Sequence, residues 1–200
     1  MGMCAKVMKE KGTLKKDTLV VTVMSNIGLK KRMKELGINV VETKVGDRSV
    51  LEKMLQDGYS IGGEQSGHII FLDKNTTGDG MLSAIQTLDV MKATGKKMSA
   101  LAADIPIFPQ VLVNVTVDNS VKQEAMKDED QWEHIREVES KLGDSGRVLV
   151  RASGTEPLIR VMLEGQDTDE IGGYAIYIVK VLEQKFGGKI KKKKKKANIS

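Results

Sequence analysis

The chain has 200 residues, 40% of them hydrophobic and 30% charged, a size and balance suited to one large or two small soluble domains that fold without metal or disulfide staples. Its single cysteine, Cys4, excludes an internal disulfide and, lacking nearby partners, a thiolate metal centre; this fits a reducing compartment. No apolar run approaches the ~20 residues of a membrane span, and the opening MGMCAKVMKEKG has no signal-peptide core, so the expected location is cytoplasmic, with no membrane partner.

The first half alternates helical and strand patterns. Met3, Val7 and Met8 predict a short amphipathic helix closed by Gly12, TLVVTVM (18–24) a buried strand, and GLKKRMKELG a helix ended by Gly37. INVVETK follows as a second strand, DRSVLEKMLQDG as a helix stopped at Gly58, and HIIFL as a third strand. Single helices between strands imply right-handed crossovers and a sheet covered by helices. After it comes a longer helix with Leu82, Ile85, Leu88 and Met91 at helical spacing, then a short one at MSALAAD. IPIFPQ holds two of the three prolines in the chain, which places a boundary near residues 105 to 110.

The second half predicts strand VLVNVTV (111–117), one polar helix from about Glu124 to Leu142, strands GRVLVRAS and PLIRVMLEG, and a helix from about Asp169 to Phe186. The expected architecture is a small three-layer α/β domain with a mixed sheet (1–106), then a smaller α+β domain with an antiparallel sheet (107–188). Seven lysines, Lys189 and Lys191 to Lys196, account for the net charge: removing them takes +5 to −2. Residues 189–200 are expected to be a disordered tail. It is either a solvated end or a tether to nucleic acid; the absence of interleaved aromatics makes nucleic acid the poorer partner.

Two stretches carry candidate chemistry. In RASGTEPLIR (151–160), strand alternation puts Arg151 and Ser153 on one face, and Arg160 points away from the apolar row Ile159, Val161 and Leu163. Gly154 would let backbone N–H groups turn inward, Ser153 and Thr155 add hydroxyls, and the guanidinium forks suit a phosphate. Glu156 would brace an arginine or the loop. The alternative is a plain hairpin connection. In GGEQSGH (62–68), three glycines flank Glu64 and Ser66, so a ligand could approach closely. A carboxylate there suits the vicinal hydroxyls of a sugar, Ser66 can donate or accept beside it, and His68 could move a proton; a tight turn with a structural histidine is the alternative. In VGDRS (45–49), Asp47 predicts a helix N-cap, and Arg48 sits where an anion is also favoured. DKNTTGDGMLSA begins like a calcium loop but has Ala84 at its twelfth position, so a turn and a capped helix are expected. There is no GxxxxGK[ST] or GxGxxG loop, no Cys/His cluster and no Asp-rich run of the kind that holds Mg²⁺.

Taken together and in order, GEQSGH and RASGTEPLIRVMLEG resemble the sugar-binding and phosphate-binding loops of the α-D-phosphohexomutase family. VMSNIGL, TKVGDR and TTGDG are similar to its amino-sugar branch, and the likeness runs from about Val7 to Phe186. The resemblance implies a four-domain enzyme that interconverts hexose 6-phosphate and 1-phosphate through a phosphoserine, a bound Mg²⁺ and a bisphosphorylated sugar. For the amino-sugar branch it implies glucosamine 6-phosphate and glucosamine 1-phosphate. By motif, Glu64, Ser66 and Arg48 would hold the sugar and His68 would be the proton-transfer candidate. Arg151, Ser153, Gly154, Thr155 and Arg160 would hold the phosphate that is not being transferred. The phosphoserine and metal loops are not in this sequence, so the resemblance is to the third and fourth domains. The missing N-terminal domains become a partner, the Mg²⁺ ligands lie outside the chain, and the chain by itself should bind phosphosugar without turning it over. The alternatives are a phosphomannomutase or phosphoglucomutase piece, and a non-catalytic phosphosugar- or nucleic-acid-binding module.

Overall fold

Strand β1 (Thr18–Thr22) is buried at every position, and its alternation feeds two cores. Leu19 and Val21 join Cys4, Val7, Met33, Ile61, Phe71 and Val90 on one side, while Val20 meets Val50, Met54 and Ile70 on the other. The computed structural model, which describes residues 1–191, accordingly has helices on both faces of its first sheet. Helices α1 (Gly2–Glu10), α2 (Ile27–Glu35), α4 (Gly80–Thr94) and α5 (Met98–Ala103) cover one face, and α3 (Asp47–Asp57) covers the other.

The strand order is β2 (Asn39–Thr43), β1, β3 (Ile61–Gly63), β4 (Ile69–Phe71). β1 is parallel to both β2 and β3, and β4 is antiparallel to β3. Because β2 and β3 flank β1, the crossovers through α2 and α3 pass over opposite faces and the winding reverses at β1. Ligands in such sheets collect outside the carboxyl ends of the strands at the reversal. This is the three-layer α/β architecture with a mixed sheet expected from the sequence.

Several local expectations need correcting. HIIFL is the fourth strand, not the third: Ile61–Gly63 precedes it, hidden by its glycines. A Cβ on Gly62 would stand 2.7 Å from Met54 Sδ and 2.8 Å from Val50 Cγ1, so α3 packs against bare strand backbone there. Asp47 is not the cap of α3. The cap is Gly46 at φ 126°, a conformation a side chain would strain, and Asp47 is the first helical residue. On α4, Val90 is buried and Leu82 and Met91 are partly so, but Ile85 and Leu88 are 60% and 61% exposed, so the helix turns half of its expected stripe outward. Asp79 caps α4 by accepting from Leu82 N at 3.0 Å, the capped-helix outcome for the calcium-like stretch.

The chain divides after Ile107. The second unit is an antiparallel sheet ordered β6 (Arg147–Ala152), β7 (Leu158–Glu164), β5 (Gln110–Thr116), β8 (Lys189–Lys191). Val115, Val148, Val150, Ile159, Val161 and Leu163 face helices α6 (Asn119–Ala125), α7 (Glu129–Leu142) and α8 (Thr168–Phe186) in one core, as expected of an α+β fold. The single helix expected over 124–142 is two. Asp128 accepts from Gln131 N at 2.7 Å to start α7 afresh, and the Trp132 indole bonds the Met126 carbonyl across the break. The expected tail also begins later: Lys189–Lys191 pairs with β5, Ile190 opposite Val115. Gly188 permits that approach, since a Cβ there would stand 2.6 Å from Val115 Cγ1. The rest of the lysine run lies outside the described residues.

Candidate functional site

In the second unit, antiparallel register sets Arg151 directly opposite Arg160, and Arg160 opposite Asn114. These three side chains share the sheet face away from the helices, because their neighbours Val150, Val161 and Val115 point into the helical core. Like charges directly opposite one another destabilise a strand pair. Burial first, and then the charge of Arg160, push the Arg151 guanidinium below its ordinary pKa. The Nε groups of both arginines and the Asn114 Oδ1 are enclosed without a hydrogen-bond partner. Such atoms are costly to leave unsatisfied, and an anion between the guanidinium groups would relieve both the repulsion and the missing bonds.

The connecting loop 153–157 is tightly tied. Ser153 N donates to Leu158 O at 2.9 Å and Leu158 N to Glu156 O at 2.8 Å. Ser153 is buried, and its Oγ accepts from Glu156 N at 3.2 Å, leaving its own proton available to donate. Glu156 Oε2 accepts from Arg160 Nη2 at 3.1 Å, the bracing role expected of it. Lys122, on α6, donates to the carbonyls of Ser153 at 2.8 Å and Glu156 at 3.2 Å. Thr155 is exposed at the tip beside Gly154. Gly154 does not take the left-handed conformation, and a Cβ there would meet no protein atom. No neighbour within the protein therefore requires a glycine at this position.

In the first unit, Glu64, Ser66 and His68 sit on the hairpin joining β3 to β4. Glu64 N donates to His68 O at 2.8 Å and Gly67 N to Glu64 O at 3.1 Å, with Gly67 at φ +100° closing the turn. Glu64 Oε1 accepts from Gly46 N at 2.9 Å, so a backbone donor at the start of α3 fixes the carboxylate and leaves the second oxygen as an acceptor. Ser66 is exposed. The His68 ring lies over Gly78, where a Cβ would come 2.7 Å from Nε2. That nitrogen is 3.7 Å from Asp47 Oδ2, beyond hydrogen-bond distance. Residues 44–48 and 64–68 follow the carboxyl ends of the parallel strands β2 and β3, the edge at which the winding reverses. Arg48 is different: its Nε donates to Glu52 at 2.8 Å and its side chain is 88% exposed, so it lies along α3.

Among the described residues no group of three or more His, Cys, Asp or Glu side chains could hold a metal ion. Also among the described residues, no helix is long and apolar enough to cross a membrane. The structure adds Asn114, Lys122, Gly46 and Gly78 to the two loops. Asn114 had a signal, a polar residue interrupting VLVNVTV. Lys122 had none, being one polar residue among many in its segment.

The comparisons agree with this division. A family model for phosphoglucomutase/phosphomannomutase, alpha/beta/alpha domain III, matches residues 1–108, and one for the phosphoglucomutase/phosphomannomutase C-terminal domain matches residues 112–181. The phosphoglucosamine mutase of Ligilactobacillus salivarius is 54% identical over 187 residues, 94% of this chain and 41% of the relative. That of Alkaliphilus oremlandii is 55% identical over 185 residues, 92% of this chain and 41% of its own. The chain thus spans about two fifths of the length of the curated relatives it matches. Among solved structures, Aspergillus fumigatus N-acetylphosphoglucosamine mutase in complex with GlcNAc-6P and magnesium superposes with a TM-score of 0.74 at 20% identity, covering 92% of this chain and 43% of that one; the likeness speaks for the fold alone. With one family model on each compact unit, in the family's own order, the chain belongs to the phosphoglucomutase/phosphomannomutase family and carries its domain III and its C-terminal domain.

Proposed function

We propose that the chain is the substrate-gripping part of a phosphoglucosamine mutase, the isomerase that moves phosphate between the 6 and 1 positions of glucosamine. The identity to curated phosphoglucosamine mutases, 52 to 55% across nine tenths of the chain, supports the amino sugar over mannose or glucose. The observation that carries the site is the opposed Arg151 and Arg160 pair, with its enclosed, unpartnered Nε groups.

In this reading the phosphate that stays on the sugar docks against Arg151, Arg160, the Ser153 hydroxyl and the tip at Gly154 and Thr155. On the first unit, the unengaged oxygen of Glu64 and the Ser66 hydroxyl are the groups suited to sugar hydroxyls. His68 is the group that takes or returns a hydroxyl proton, and Arg48 approaches the sugar only by leaving Glu52. Holding the non-reacting end lets the reacting oxygen meet phosphorus in line, and such positioning can supply several kcal/mol of a phosphoryl-transfer barrier. Because either end of a bisphosphorylated sugar must dock in turn, a cup of charge and hydroxyl donors serves better than a shape-specific pocket. The phosphoserine and the Mg²⁺ would come from the remainder of the longer enzyme, in the cytoplasm.

The test is calorimetric titration of the 200-residue chain with glucosamine 6-phosphate. Arg151→Ala should weaken binding by roughly tenfold to a hundredfold, the range for a lost charge-assisted contact. Unchanged affinity in a folded Arg151→Ala variant would sink the proposal.

A further inference from the structure

We infer that Lys122 is the positioning residue of the phosphate loop: it holds the backbone of residues 153–157 so that their donors, rather than their carbonyls, face the anion. The inference rests on the phosphate reading of that loop. Lys122 belongs to another element, α6, more than thirty residues back, and its ammonium reaches the Ser153 carbonyl at 2.8 Å and the Glu156 carbonyl at 3.2 Å. It thus spans the loop from its first residue to its fourth.

Peptide geometry gives the contact its directional effect. In a trans peptide plane the C=O and the following N–H point in opposite directions. With the Ser153 oxygen bound to Lys122, the Gly154 N–H is directed away from Lys122, at the tip where a Cβ would meet no protein atom. The Glu156 carbonyl precedes Pro157, which has no N–H to give up, so that plane can be turned toward the lysine without losing a donor. Glu156 O also accepts from Leu158 N, and Val117 N ties down the Pro157 carbonyl at 3.1 Å. Carbonyl oxygens carry the negative ends of their dipoles, and beside a phosphate they would repel it. Lys122 neutralises two of them where the loop needs to be electropositive, and both bonds are charge-assisted. Neither Arg151 nor Arg160 can do this, because their positions on paired strands aim them from the sheet face.

The experiment titrates the chain with inorganic phosphate by NMR, following the amides of Gly154 and Thr155, for the native protein and for Lys122→Met, Lys122→Arg and Arg151→Ala. Lys122→Met keeps the aliphatic stem and loses the charge. It should weaken phosphate binding by roughly tenfold, lower the order parameters of the Gly154 and Thr155 amides and leave the melting midpoint near native, while Lys122→Arg restores most of the affinity. If Lys122→Met proves unfolded, Lys122→Gln, which keeps a donor but not the charge or the reach, should show the same loss. Native affinity in Lys122→Met, with binding abolished in Arg151→Ala, would overturn the role of Lys122 and leave the phosphate site standing. Weaker binding with unaltered Gly154 and Thr155 order would also overturn it, by making Lys122 a direct contact. Unchanged binding in Arg151→Ala would instead remove the phosphate site, and the inference with it.

Discussion

Gly63 illustrates how much a single missing side chain decides. A Cβ there would run into the His68 carbonyl oxygen and stand 2.8 Å from Met1 Sδ, and that same carbonyl accepts the Glu64 N–H. The hairpin that presents Glu64, Ser66 and His68 therefore depends on bare backbone at its base. Gly63→Ala is expected to destabilise the first unit by roughly 1–3 kcal/mol, with the urea midpoint lowered at constant slope; a midpoint equal to that of the native chain would refute this. The sequence marks these glycines as unusual without showing what they pack against. Gly62 and Gly63 make room for α3 and for the neighbouring strand, a role that only a tertiary neighbour could reveal. The arginines were more legible, because strand alternation is local and a five-residue connection leaves little freedom of register between Arg151 and Arg160. Lys122 was illegible, since its partners are carbonyls and no side-chain pattern advertises them.

At the scale of elements, most helices and strands lie nearly where the sequence puts them, and the exceptions are β3, β8 and the break between α6 and α7. α8 begins one residue before the expected Asp169. Asp167 accepts from the N–H groups of Asp169 at 2.8 Å and Glu170 at 3.1 Å, satisfying two donors that the helix cannot. Since α8 supplies Ile171, Ala175, Ile178 and Leu182 to the second core, Asp167→Ala should lower stability by about 1–2 kcal/mol. Chemical denaturation followed at Trp132, which packs against that core, would register it, and Asp167→Asn should recover most of the loss. The break between α6 and α7 carried the same signal at Asp128, but a continuous polar helical pattern outweighed one aspartate. β3, three residues long with two glycines, has neither the length nor the branched side chains by which strands are recognised. Its burial comes entirely from the helix and strands around it.

At the scale of the whole molecule, each unit has its own apolar core and its own loop of candidate contacts, and the matched relatives are more than twice as long. In the reading proposed above, the phosphoserine and the Mg²⁺ belong to the remainder of a longer enzyme, so the 200-residue chain should give no mutase turnover. A coupled assay for glucosamine 1-phosphate formation checks this, and sustained turnover from the purified chain would refute it. One small element bears on how such a protein behaves in solution. Lys189–Lys191 pairs with Asn114–Thr116, three of the seven residues of β5, whose amides and carbonyls on that edge would otherwise be open to another chain. A short, lysine-bearing strand is a poor template for further pairing. The residues that look like the start of a charged appendage thus cover part of a sheet edge, and a version of the protein shortened before Lys189 would lengthen the open edge available for pairing with another chain.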